Sequence, residues 1–245
     1  MKIFLSGLEA SGEFYEINDI IPKYKNILCS FYYIKQNIFD MILSKSELVI
    51  IDSGAHSFQK GKKVDWVEYT KKYAEFIKQN DCNKIVGYFE MDVDNIIGYE
   101  KVLELRKILE SVSDKIIPVW HKNRGIEDFK NMCKEYAGKV IAITGFKNED
   151  IKDEQYLMFL KYAKKYNCKV HCLGMTRKKI LDTVPFDYVD SSSWKQQSIY
   201  GYINRKKVSK EYSKHNRAKV MAENLKESMK TCDYYYKKWR NINKD

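Results

Sequence analysis

Two aspartates in this chain stand where displacement chemistry would need them. Asp190 ends the short apolar run Tyr188-Val189 and is followed by Ser191-Ser192-Ser193-Trp194. Asp52 ends Leu48-Val49-Ile50-Ile51 and leads into Ser53-Gly54-Ala55-His56-Ser57. A carboxylate is anionic at neutral pH and a tolerable leaving group, so one of the pair can attack an anomeric carbon while the other moves the proton. Aspartate also caps helices and starts turns, and a single strand-end Asp would carry no more meaning than that.

A pair of this kind needs a scaffold that gathers strand ends. Strand-like apolar runs occur at Ile3–Leu5, Ile27–Tyr33, Leu48–Ile51, Ile85–Met91, Ile116–Trp120, Val140–Ile143, Val170–Leu173 and Tyr188–Val189. Helical patterns lie between them at Asn37–Leu43, Trp66–Gln79, Tyr99–Leu109, Glu127–Tyr136, Gln155–Tyr166 and Lys178–Thr183, and a long helix follows. The connection from Glu9 to Tyr24 is irregular. Eight strands alternating with helices predict an α/β fold, a (β/α)8 TIM barrel spanning residues 1–245 as one domain, with a basic helical segment at 195–245 packed on it. Six consecutive strands end on distinctive, mostly polar residues: Asp52, Ser53, Gly54 and His56; then Glu90, Asp92 and Asp94; His121; Thr144, Gly145 and Phe146; Leu173 and Gly174; and Asp190. In a parallel barrel those loops share one mouth.

Composition is consistent with one large core: 245 residues, 44% hydrophobic, only three prolines. No apolar run reaches the roughly 18 residues of a membrane span, and no signal-peptide pattern opens the chain, so a cytoplasmic protein with no membrane partner is expected. Cys29, Cys82, Cys133, Cys168, Cys172 and Cys232 are scattered without paired spacing and read as reduced thiols. The net charge is +11, and residues 195–245 hold fourteen Lys and Arg against five Asp and Glu. Arg205, Lys206, Lys207, Lys210 and Arg217 are the candidate nucleic-acid contacts. Further on, Tyr234-Tyr235-Tyr236-Lys237-Lys238-Trp239-Arg240 mixes cations with aromatic rings. Such mixing suits a phosphate backbone with unstacked bases, and equally a solvated helix with its aromatics turned inward.

The residues resemble the tRNA-guanine transglycosylases and, more closely, the zinc-free phage relatives that insert 7-deazaguanine bases into DNA. The family's general-base signature Asp-Ser-Gly-Gly-Phe is similar to Asp52-Ser53-Gly54-Ala55-His56, departing at the last two positions. Its nucleophile segment resembles Val189-Asp190-Ser191-Ser192-Ser193-Trp194, with Asp187 before it. Shorter likenesses place a purine-reading aspartate at Asp92, a glutamine segment at Trp120-His121, the base-binding turn at Thr144-Gly145-Phe146 and the family's Met-Gly at Leu173-Gly174. The resemblance runs from about Leu48 to Trp194, and only the two Asp segments are specific. It implies Asp190 as nucleophile and Asp52 as proton shuttle. Ser53, Gly54, His56, Asp92, His121, Thr144, Gly145, Phe146, Leu173 and Gly174 would then contact the base.

Departures from the family shift the expected substrate. Its tRNA enzymes hold a structural zinc with a Cys-x-Cys-x-x-Cys cluster and a later His, whereas only Cys232 and His215 follow Asp190 here. Two ligands do not close a tetrahedral site, so no metal and no cofactor are expected. The expectation is exchange of guanine for a 7-deazaguanine in nucleic acid, DNA favoured over tRNA, by a monomer acting on a flipped or single-stranded base. The residues taken alone leave open an N-glycoside hydrolase or a non-catalytic nucleic-acid-binding barrel. His171, inside the seventh strand, is read as packing, and His215 as surface.

Overall fold

In the computed structural model, which describes residues 1–58, 64–144 and 151–243, the β-branched and aromatic runs form nine parallel strands. They are β1 (Lys2–Ser6), β2 (Asn26–Ser30), β3 (Leu48–Asp52), β4 (Ile85–Phe89), β5 (Ile116–Ile117), β6 (Val119–Trp120), β7 (Val140–Thr144), β8 (Lys169–Leu173) and β9 (Tyr188–Ser191). Between and after them lie α1 (Phe14–Ile20), α2 (Gln36–Lys45), α3 (Trp66–Asn80), α4 (Asp94–Ile97), α5 (Tyr99–Glu110), α6 (Gly125–Glu135), α7 (Tyr156–Lys165), α8 (Lys178–Thr183), α9 (Ser193–Ile199), α10 (Lys210–His215) and α11 (Arg217–Trp239). A small antiparallel hairpin, β10 (Tyr202–Ile203) and β11 (Lys206–Lys207), joins α9 to α10.

Strand order in the sheet is β5-β4-β3-β2-β1-β9-β8-β7-β6. Its two terminal strands are separated in the chain by Pro118 alone, so the sheet curls into a nearly closed barrel. Sequence reading expects one strand from Ile116 to Trp120; the structure splits it. Proline has no N–H to give to a ladder, and the halves pair apart, Ile116 and Ile117 with Tyr88 and Phe89, Val119 and Trp120 with Ala142 and Ile143. Glu90 braces the split. One of its carboxylate oxygens accepts the Val119 N–H at 2.6 Å and the other accepts Arg106 Nε at 2.6 Å, both side chains being buried.

Strand alternation builds two apolar layers. Phe4, Leu28, Ile50, Phe89, Ile117, Val119, Ala142 and Tyr188 fill the barrel interior. Residues of opposite parity, among them Ile3, Leu5, Ile27, Val49, Ile51, Ile141 and Val189, pack outward against the helices. In β3 the inward parity of Leu48 and Ile50 passes to Asp52; in β9 that of Tyr188 passes to Asp190, which stands opposite Phe4 of β1. The strands are apolar for most of their length and turn polar at their last inward position.

The C-terminal segment packs on this barrel. α11 buries Val220, Met221, Leu225, Cys232 and Tyr235, and fully burying such side chains stabilises by about 2 kcal/mol each. Cys232 Sγ meets the Ile3 carbonyl at 3.5 Å, and Trp239 Nε1 donates to the Leu181 carbonyl at 2.9 Å. No helix among the described residues is long and apolar enough to cross a membrane.

Candidate active site

The C-terminal ends of the strands surround an open cavity of about 1170 Å³. Asp52 and Asp190 both line it, together with His56, Asp92, His121, Thr144, Leu173 and Gly174. Gly145 and Phe146 lie outside the described residues. Ser53 and Gly54 stand behind Asp52 instead of facing the cavity. Ser53 is fully buried and its carbonyl accepts the Tyr69 hydroxyl at 2.8 Å. Gly54 has φ +73°, and a Cβ there would stand 2.5 Å from the Tyr32 Cβ, so only glycine fits the turn. Its N–H donates to Asp52 Oδ2 at 3.0 Å and thereby fixes that carboxylate.

Asp190 caps no helix; Ser192 occupies the position before α9. The Asp190 side chain turns inward, and its Oδ1 accepts from Gly174 N–H at 2.8 Å and faces His171 Nε2 at 2.9 Å. His171 is therefore more than packing. It is fully buried among the rings of Phe4, Phe89 and Tyr188, and its Nδ1 has no partner among the described residues. A neutral ring with its proton on Nε2 satisfies this arrangement, donating to Asp190 while Nδ1 keeps only a lone pair. Both bonds hold Oδ1, and none among the described residues engages Oδ2.

Electrostatics differ around the mouth. Burial pushes Asp52 up to about 6, with the negative charges of Asp92 and Asp190 adding to the rise and the Gly54 N–H opposing it. Asp92 Oδ1 sits 2.6 Å from His121 Nε2. Burial disfavours the imidazolium, but the hydrogen bond and charge of Asp92, with Asp94 adding, hold His121 above its ordinary value. Asp92, Asp94 and His121 each bring a ligand atom within 4.8 Å of the others, the grouping among the described residues that a cation would find. Its donors are already engaged, His121 with Asp92 inside the group and Asp94 Oδ2 with Arg124 Nε at 3.6 Å, where a guanidinium opposes a second positive charge.

Two polar residues of the cavity carry no signal in the sequence. Glu9, from the irregular first connection, is buried, and its Oε1 accepts the Ser30 N–H at 3.0 Å. Lys195, on α9, donates to the Gly7 carbonyl at 2.8 Å, beside a Trp194 Nε1 bond to the Ser6 carbonyl at 3.0 Å. Glu90, expected at the mouth with Asp92, is instead the buried partner of Arg106.

The basic segment divides in two. Arg205, Lys206 and Lys207 project from the hairpin and Lys210 opens α10, all exposed. Arg205 lies at φ +67° and Asn204 at φ +49°, their N–H groups held by the Gln197 and Asn224 side-chain oxygens at 3.1 and 3.0 Å. Arg217 is paired with Glu13 at 2.7 Å. Tyr236 and Arg240 reach the opposite end of the barrel, beside Lys2 and Lys169 at the strand starts. There Lys238 pairs with Asp182 at 3.1 Å; of the aromatic rings Tyr235 is buried, whereas Tyr234 and Tyr236 are exposed.

Compared with known protein families and with curated proteins, the chain matches none.

Proposed function

We propose that the chain is a (β/α)8 barrel transglycosylase of the cytoplasm that exchanges guanine for a 7-deazaguanine in nucleic acid, with DNA the favoured substrate. Counting the halves around Pro118 as one strand gives the eight of that barrel. The observation that carries the reading is the cavity itself: Asp190, with one oxygen held by Gly174 N–H and His171 and the other unengaged, shares it with Asp52, Asp92 and His121.

In this reading Asp190 Oδ2 attacks C1′ of the target nucleotide as the N9–C1′ bond breaks, and guanine leaves with a proton supplied by Asp52. The product is a glycosyl ester on Asp190. The incoming 7-deazaguanine gives its N9 proton to ionised Asp52. Its nitrogen then attacks C1′ from the opposite side, and the Asp190 carboxylate departs, so configuration is retained. An acid near 6 suits Asp52 to this shuttle, because both protonation states are populated close to neutral pH. Asp92, steadied by His121, accepts from the N1–H and exocyclic amine of a guanine-like edge. His56 and Leu173 flank the ring. Chemistry at C1′ inside a cavity requires the base to leave its stack, and the exposed hairpin cations suit the backbone that remains outside.

The test is incubation with DNA and, separately, tRNA in the presence of labelled 7-deazaguanine, followed by nucleoside mass analysis. Label in the DNA nucleosides supports the reading. Release of free guanine without uptake points to a hydrolase, and binding without either reaction to a non-catalytic barrel.

A further inference from the structure

Glu9 is 5% exposed, and one of its two oxygens is unused: Oε1 accepts from Ser30 N–H, while Oε2 is buried with no hydrogen-bond partner among the described residues. Tying the β1–α1 loop to β2 requires only Oε1. A buried, unsatisfied carboxyl oxygen lowers stability, and the residue that carries it lines the cavity. Its position in the ring of strand ends says what it meets. A base held between His56 beyond β3 and Leu173 of β8, with its polar edge toward Asp92 and His121, turns its glycosidic nitrogen to the remaining arc of β9, β1 and β2. Asp190 stands in that arc, and so do Gly7, Glu9, Ser30 and Lys195.

Resting on the transglycosylase reading, we infer that Glu9 and Lys195 form the sugar-phosphate wall of the cavity, the free Glu9 oxygen and the Lys195 ammonium being contacts for a phosphodiester oxygen of the target nucleotide. Burial pushes Glu9 up to about 7, with Asp52 adding to the rise and the Ser30 N–H and Lys195 opposing it; the buried Cys29 thiol lies alongside. Below that value the neutral acid offers an O–H. Lys195 spends one N–H on Gly7 and keeps two. A wall of donors with one positive charge selects an anionic acceptor, and the phosphodiester is the anionic part of a nucleotide.

The test uses the full chain with Glu9→Gln, Glu9→Leu and Lys195→Met, varying oligodeoxynucleotide and then labelled 7-deazaguanine from about pH 5.5 to about pH 8.5. Glu9→Leu and Lys195→Met are expected to raise the oligonucleotide KM about tenfold while the KM of the free base stays within about twofold. In the wild type the oligonucleotide KM rises above about pH 7 as Glu9 ionises. Glu9→Gln, whose amide keeps a donor, stays within about threefold of wild type at about pH 6 and loses that rise. Equal effects of Glu9→Leu on both KM values, or an alkaline rise unchanged in Glu9→Gln, overturn the inference. If the wild type exchanges no base, it is the transglycosylase reading that fails. Oligonucleotide binding by Asp190→Asn with and without Glu9→Gln then decides for Glu9, whose replacement must abolish the alkaline loss of affinity.

Discussion

Replacing Asp52 with asparagine is predicted to stabilise the protein at alkaline pH while removing its activity. Burial at the cavity wall raises the carboxyl from its ordinary 3.8 to about 6, which corresponds to about 3 kcal/mol of differential interaction between its two protonation states. The folded state holds this proton more tightly than the unfolded chain. Its contribution is therefore intact below 3.8 and is lost as pH climbs from there to about 6. Above that, the ionised group destabilises the fold by the full amount. Asparagine is never charged, and its carbonyl can still accept the Gly54 N–H. The variant should gain about 1–3 kcal/mol at about pH 8, the lower end reflecting partial contact with solvent, and almost nothing at about pH 3.5. Urea unfolding of both proteins at the two pH values measures the difference, and exchange should fall by about 10²–10⁴-fold. An asparagine variant no more stable than wild type at the higher pH, or equally stabilised at both, would refute burial as the origin of the raised proton affinity.

Other perturbations test separate parts of the account. His171→Phe removes a donor to Asp190 and should slow exchange about 10–100-fold, with His171→Gln recovering part of the rate through its amide; equal rates in the two variants would deny the positioning role. Arg106→Met leaves Glu90 buried and uncompensated beside Val119 and should cost about 3–5 kcal/mol in denaturant unfolding; a loss below about 1 kcal/mol would show that the Pro118 seam does not depend on the pair. Arg205→Gly relieves a left-handed residue at φ +67° and should stabilise by about 1 kcal/mol. The same change weakens oligonucleotide binding and flattens its salt dependence; unchanged binding removes the hairpin from the interface.

Local periodicity carried the strands and most helices. Lys178–Thr183 coincides with α8, and Trp66–Gln79 ends one residue short of α3, where Asp65 caps the start by accepting the Glu68 N–H at 3.0 Å. The second strand was expected to reach Tyr33 but ends at Ser30, because Phe31-Tyr32-Tyr33 has a strand-like composition and no strand to pair with. α1 has no clear signature in the sequence: it is seven residues long, starts without a side-chain cap and buries only Phe14 and Ile17. In the site, Asp52 and Asp190 are legible as the carboxylates that end apolar strand runs. His171 was legible in principle, since it shares the parity of Leu173, which lines the cavity. Glu9 and Lys195 are not, because their chemistry comes from burial against Ser30 and Gly7 between the neighbouring strands β9, β1 and β2, and no local pattern encodes a contact between segments distant in the chain.

In the proposed reaction Asp190 becomes covalently glycosylated during base exchange. Acid quenching of the protein with a guanine-containing oligodeoxynucleotide and labelled 7-deazaguanine, followed by peptide mass analysis, tests it directly. The expected result is a deoxyribosyl adduct on the peptide containing Asp190 and label in the DNA, with both absent from Asp190→Asn. Undiminished incorporation by Asp190→Asn, or an adduct on another residue, would contradict it.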